Sequence, residues 1–471
     1  MTLALTQFRF RKDTSMAKPQ NELSSKDYRA IDREHVWHPL FQHQLLDGTD
    51  LVVFQSANGS TITDTDGNQY LDAYSGLWNV NVGYGRQEIA DAVYQQIQQL
   101  PYYPHSQINP PATLLAAELA ELLPGDLKHV YFCNSGSEAN ETAIKIARQY
   151  GRQKYPGQAR YKIISRYRGY HGFTYGAMSA TGQARRRKAF EPLVPGFPHV
   201  HPPYCYRCPF GLSHPQCNTV CADEIERVIQ WEGAETVCAV IAEPIIGGGG
   251  VIIPPDDYFP KLREICDRYG LLLIIDEVIT GFGRTGKPFA CEHWRIEPDI
   301  MTLAKGLTSG YLPLGACVTT DAVFDVFLGE PDENREFEQV CTYGGHPVTC
   351  AAGLANLKIL TEERLWENAA HVGAKLLEKL KGLESLPIVG EVRGKGLMIG
   401  IELVQADQSN LDTARTNSVV GAMKEQGILI GKIGHALDDP ENIVFLAPPL
   451  TTTIEEADTI AEALQDVLRN L

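Results

Sequence analysis

The sequence predicts an α/β fold, a mainly parallel sheet with helices on both faces, joined to a smaller α+β domain. Three observations carry this. Short apolar runs alternate with helical stretches through the middle of the chain, as in strand–helix–strand units. Two of these runs, 237–242 and 271–275, are apolar at every residue, as in strands buried on both faces. After residue 347 the pattern changes to a long helical stretch, a glycine-broken strand and a terminal amphipathic helix.

Taken in order, residues 1–25 read as a mobile polar tail, with Met16 as an alternative start. Residues 26–75 read as the N-terminal part of the small domain, 76–346 as the large domain and 347–471 as the C-terminal part of the small one. Within the large domain, strands are expected over 130–133, 161–164, 237–242, 271–275 and 299–303. A helix over 137–150 puts Ala139, Ala143, Ile146 and Ala147 on one face, and a second helix is expected over 260–269. In the last part, 347–380 is helical in pattern and 394–403 reads as a strand. The helix over 454–471 gathers Ile454, Ala457, Ile460, Ala461 and Leu464.

Forty-two Lys and Arg against 58 Asp and Glu give the 471-residue chain a formal charge of −16. A nucleic-acid partner needs a basic footprint, so this balance argues against one. The run Arg185-Arg186-Arg187-Lys188 reads as a solvated face, because the chain around it is not basic. No apolar run approaches the roughly 20 residues of a membrane span, and the N-terminus lacks the apolar core of a secretion signal. The 11 cysteines, an odd number scattered through apolar segments, fit reduced thiols in a cytoplasm. Four of them, Cys205, Cys208, Cys217 and Cys221, have some zinc-ligand character. Their second spacing is short for a ribbon, and the reading adopted is a surface insertion with free thiols and no metal.

Ligands of open α/β sheets sit beyond the carboxyl ends of the strands, so the polar residues there matter most. Asn134-Ser-Gly-Ser-Glu138 is a small-residue turn opening a helix, and its N–H groups with the Ser135 and Ser137 hydroxyls suit a phosphate or an ordinary cap. Glu243 ends another strand. Asp276 directly follows five Leu and Ile residues, a costly position unless it meets a cation or several donors. Lys305, flanked by small residues, ends the next strand where an amine could condense with a carbonyl compound. A phosphate cup, a buried carboxylate and an amine at neighbouring strand ends match the needs of pyridoxal phosphate.

The motifs Asn134-Ser-Gly-Ser-Glu-Ala-Asn140, Tyr170-His-Gly172, Asp276-Glu-Val278, Gly281-Phe-Gly-Arg284, Leu303-Ala-Lys-Gly306 and Thr342-Tyr-Gly-Gly345 together resemble the class III (omega) aminotransferases. The resemblance runs from about Trp37 to Leu450. It implies a fold-type I pyridoxal-phosphate enzyme with a mainly parallel seven-stranded sheet. It further implies that Lys305 is the Schiff-base lysine and proton shuttle, and that Asp276 pairs with the pyridine nitrogen. Val278 and Tyr170 would cover the two ring faces, with Ser135, Gly136 and Ser137 on the phosphate and His171 and Glu243 at the cofactor. Thr342 would reach the phosphate of a neighbouring subunit, implying a homodimer or a dimer of dimers. Leu77, Trp78 and Tyr170 would line the substrate pocket, with Trp78 at its mouth.

The residues before Ala447-Pro-Pro-Leu450 are Ile443-Val-Phe-Leu446, without the arginine of the ornithine-type branch, and the stretch 430–434 offers Lys432 where pyruvate-using relatives carry an arginine. The chain is most similar in look to taurine–pyruvate aminotransferases. The expected reaction therefore takes an ω-amine donor of taurine type and a keto-acid acceptor, pyruvate. The alternatives are a 2-oxoglutarate-dependent enzyme, a decarboxylase or aminomutase of the same fold, and a non-catalytic binding protein.

Overall fold

A computed structural model of the chain describes residues 23–47, 51–405, 407, 409, 413–434 and 441–471. Residues 1–22 of the expected tail lie outside the described residues. Helix Ser25–His35 begins directly after it, because Ser24 accepts from the Asp27 amide and Asp27 accepts from that of Ser24.

The central sheet has seven strands: β1 (Leu127–Cys133), β2 (Lys162–Arg166), β3 (His199–Val200), β4 (Val237–Ala242), β5 (Leu272–Asp276), β6 (Ile300–Leu303) and β7 (Gly315–Thr320). They lie side by side in the order β1-β7-β6-β5-β4-β2-β3. Strand β7 runs antiparallel to both of its neighbours, and every other pair is parallel. This is the mainly parallel seven-stranded sheet that the motifs imply.

Alternation along the strands divides the core into two layers. Ile163, Ala239, Ile241, Leu272, Ile274 and Ile300 meet Ala143, Ile144 and Ala147 of α1 (Gly136–Lys154) on one face. Ile164, Val240, Leu273, Ile275 and Met301 pack on the other, in the layer that holds α2 (Val220–Glu232) and α3 (Tyr258–Tyr269). Both faces are covered, so β4 and β5 are buried at every residue.

Two further four-stranded sheets complete the fold. One pairs Phe54–Asn58, Thr61–Asp64 and Gln69–Asp72 with Ile428–Leu429, so segments from both chain ends share a ladder. The other is antiparallel and joins Val389–Gly394, Ile399–Leu403, Ile443–Leu446 and Gly431–Ile433. The single strand expected over 394–403 is thus two, with a hairpin turn between them. Gly396 in that turn has φ +58°, and a Cβ there would come within 2.4 Å of the Thr285 carbonyl carbon. The helical stretch after 347 is likewise two helices, α4 (Pro347–Glu362) and α5 (Leu365–Lys381). The last helix, α6 (Ile454–Arg469), packs on α5 and buries Ile460, Ala461 and Leu464. Among the described residues, no helix is long and apolar enough to cross a membrane.

Candidate active site

Asp276, the last residue of β5, has its side chain 3 % exposed, yet it is well supplied with partners. Its Oδ2 accepts from Asn140 Nδ2 at 2.8 Å and lies 2.8 Å from His171 Nδ1, and its Oδ1 accepts from the Val278 amide at 3.1 Å. Asn140 comes from the first turns of α1. Its amide also donates to the His171 carbonyl at 2.7 Å, and its Oδ1 accepts from Thr302 on β6 at 2.9 Å. The carboxylate that the sequence leaves exposed to a desolvation penalty is held from three sides. His171 Nε2 is buried and has no hydrogen-bond partner among the described residues.

Lys305 follows β6, the parallel neighbour of β5, with Asp276 opposite Thr302 in the ladder. Its backbone takes φ +43°, the left-handed region that a lysine rarely occupies and that marks sites under functional constraint. Burial lowers its amine to about 8, against the opposing pull of Asp276 and Glu243. Gly306 next to it must be glycine, because a Cβ would approach Asn81 Nδ2 to 2.6 Å and Phe282 Cβ to 2.9 Å.

The turn before α1 closes tightly on its surroundings. Ser135 caps the helix by accepting from the Glu138 amide, and Ser137 Oγ accepts from the Phe173 amide at 3.1 Å. A Cβ at Gly136 would lie 2.8 Å from Val278 Cγ1, and one at Gly172 would lie 2.5 Å from Ser137 Oγ. Gly136 and Ser137 occupy the first helical turn, whose N–H groups have no intrahelical acceptor and sit at the positive end of the dipole. The fold therefore brings Ser135, Gly136, Ser137, His171, Asp276 and Val278 into one cluster.

Glu243, expected at the cofactor, is tied to two backbone segments. Its two oxygens accept from the Tyr170 amide at 3.0 Å and the Gly247 amide at 2.9 Å, fixing both segments. Burial, reinforced by Asp276, raises the pKa of its carboxyl, and burial also raises that of the Tyr170 phenol. Trp78, expected at the mouth of the substrate pocket, is 4 % exposed, and its indole stacks on Phe445 with centroids 4.1 Å apart. Its neighbour Leu77 is 61 % exposed. Thr342 is exposed, with its carbonyl accepting from Tyr102 Oη at 2.9 Å.

The sequence motifs include Asn140 and Arg284 without giving either a role, and they leave out Thr302. Fully buried Arg284 donates to the carbonyls of Leu397 and Pro448, to Ser75 Oγ and to Asn81 Oδ1, tying the Gly76–Trp78 wall to the segment before α6. The cysteines Cys205, Cys208, Cys217 and Cys221 line one small cavity with Pro255. Among the described residues, no three His, Cys, Asp or Glu side chains are grouped as metal ligands would be.

A model of the class-III aminotransferase family matches residues 46–468. The chain belongs to the class-III aminotransferases. It is 48 % identical to an uncharacterized aminotransferase, YhxA, of Bacillus subtilis over 455 residues, covering 96 % of this chain and 99 % of that relative. It is 43 % identical to a taurine–pyruvate aminotransferase of Bilophila wadsworthia over 440 residues, covering 92 % and 95 %. A crystal structure of a Bacillus anthracis aminotransferase superposes with a TM-score of 0.91 at 45 % identity, covering 97 % of this chain and 100 % of that one. This class-III aminotransferase is accordingly an enzyme of the fold-type I class, and the family depends on pyridoxal phosphate. The residues of this chain fit that group. The turn at Gly136 and Gly172 leaves no room for a Cβ, its first-turn N–H groups suit an anion, and a buried carboxylate and a desolvated amine end adjacent strands.

Proposed function

We propose that this aminotransferase holds pyridoxal phosphate between Tyr170 and Val278 and moves an amino group from an ω-amine donor of taurine type to pyruvate. The reading is carried by one observation: Asp276, fixed by Asn140, His171 and the Val278 amide, ends β5 beside the strained, desolvated Lys305 after β6. When bound, the cofactor supplies an electron sink for the charge that develops at the donor carbon. Asp276 balances a positive ring nitrogen, and the N–H groups of Gly136 and Ser137 with the Ser135 and Ser137 hydroxyls hold the phosphate. Lys305 would hold the aldehyde end of the cofactor, and its amine, in the uncharged form, would take the proton from the donor carbon and return one to the acceptor carbon.

The surface position of Thr342 suits a homodimer, or a dimer of dimers, in which this residue completes the phosphate site of the partner subunit. Strand Ile443–Leu446 carries no arginine and is buried throughout, which favours pyruvate over 2-oxoglutarate as acceptor. The taurine–pyruvate activity named for the Bilophila relative supports the same donor and acceptor. Eleven unpaired thiols suit a reducing cytoplasm.

A donor panel run with pyruvate and 2-oxoglutarate in competition tests the reading. Taurine or a related ω-amine should bleach the yellow enzyme, and pyruvate should restore the colour faster than 2-oxoglutarate. Borohydride reduction followed by peptide mapping should label residue 305. Labelling elsewhere, carbon dioxide release or a preference for 2-oxoglutarate would overturn the corresponding part of the proposal.

A further inference from the structure

The basic run Arg185-Arg186-Arg187-Lys188 is not an evenly solvated face. Arg185 pairs with Glu441 at 2.7 Å, and Arg187 Nη1 lies 3.3 Å from His199 Nε2. Arg186 differs from both. It is half-buried, it pairs with no carboxylate among the described residues, and its guanidinium carbon lies 5.8 Å from the centre of the Tyr170 ring. Lys432, which stands where pyruvate-using relatives carry an arginine, is already held by Glu441 and Asn417, each at 2.5 Å. Glu441 is thus shared by two cations, Arg185 and Lys432, whereas Arg186 stands over the Tyr170 ring instead of joining them. A partly desolvated guanidinium without a counter-charge is costly until an anion completes it, and its planar fork matches a carboxylate.

We propose that Arg186 binds the carboxylate of the keto-acid acceptor, serving as the anion contact that the chain lacks before Ala447. The inference rests on the reading of Tyr170 as a wall of the reaction site, because Tyr170 sets where the Arg186 guanidinium stands.

The test compares holoenzyme of the wild type, Arg186→Ala and Arg186→Lys with two acceptors, pyruvate and the uncharged aldehyde propanal. In Arg186→Ala the ratio of kcat/KM for pyruvate to that for propanal should fall roughly 10- to 100-fold, the scale of one lost charge-assisted contact. Most of the loss should appear in the KM for pyruvate, and Arg186→Lys should recover part of it. The Kd of oxamate, an isostere of pyruvate that does not condense with an amine, should rise by a similar factor in calorimetry. An unchanged ratio, or equal losses with both acceptors, would overturn the proposal, the second by assigning Arg186 a purely structural part. A wild type that uses no keto acid would overturn the underlying reading, and this inference with it, before any variant is made.

Discussion

Asn140 Nδ2 lies 2.8 Å from Asp276 Oδ2, while Asn140 Oδ1 accepts from the Thr302 hydroxyl at 2.9 Å. The threonine decides which way the amide faces, so Asn140 must present its N–H groups to Asp276 and to the His171 carbonyl. Asn140→Ala removes both contacts in a dry site and should cost about 1–3 kcal/mol of stability. It should also slow amino transfer by roughly tenfold or more, since Asp276 loses one of its three supports. Thermal unfolding and single-turnover rates check this. Loss of stability at an unaltered rate would show that Asn140 serves only the packing of α1.

Lys305→Ala should abolish turnover and leave the fold intact. Gly306 and Leu307, which follow it, stay anchored through their carbonyls to Asn356. Circular dichroism should match the wild type. Amino transfer at an undiminished rate would remove Lys305 from its proposed role.

The Lys305 amine also makes cofactor uptake depend on pH. Burial lowers it to about 8, whereas an unfolded lysine titrates at about 10.4. Between those values the folded protein binds fewer protons than the unfolded chain, so this group's contribution to stability increases as pH rises through the window. The amine is mostly uncharged above 8, the form able to attack an aldehyde. Uptake of pyridoxal phosphate by cofactor-free protein, followed by absorbance, should therefore accelerate up to about pH 8 and level off above it. A rate still climbing steeply at pH 10 would mean that the lysine is not desolvated.

Much of this architecture is legible in sequence, for a physical reason. Strands β4 and β5 are covered on both faces, so their residues are apolar throughout, and a charged residue at the end of β5 stands out. Strand β7 is different. Gly315-Ala-Cys-Val-Thr-Thr320 contains glycine and threonines that signal no strand alone, and only its pairing with both β1 and β6 makes it one. The hairpin from Phe54 has a mostly exposed first strand and a half-buried second one, with little apolar alternation to read. Trp78 owes its burial to Phe445, far along the chain, and Asn140 owes its role to Asp276 on another strand. Motifs reveal which residues carry chemistry, whereas the groups that orient them depend on contacts made only after folding.

Gly172→Ala separates steric fit from backbone preference at the proposed phosphate site. A Cβ at Gly172 would lie 2.5 Å from Ser137 Oγ and 2.9 Å from Ser137 Cα, so the turn before α1 must shift. Gly157 provides the comparison, because its φ of +87° strains an alanine while nothing lies within 4 Å of the new Cβ. Both variants should lose about 1–3 kcal/mol of stability. Only Gly172→Ala should also weaken cofactor retention, by roughly tenfold or more, because it moves the Ser137 hydroxyl and amide proposed to hold the phosphate. Equilibrium dialysis of pyridoxal phosphate against both proteins measures the difference. Equal retention would mean that the phosphate is held elsewhere than on the first turn of α1.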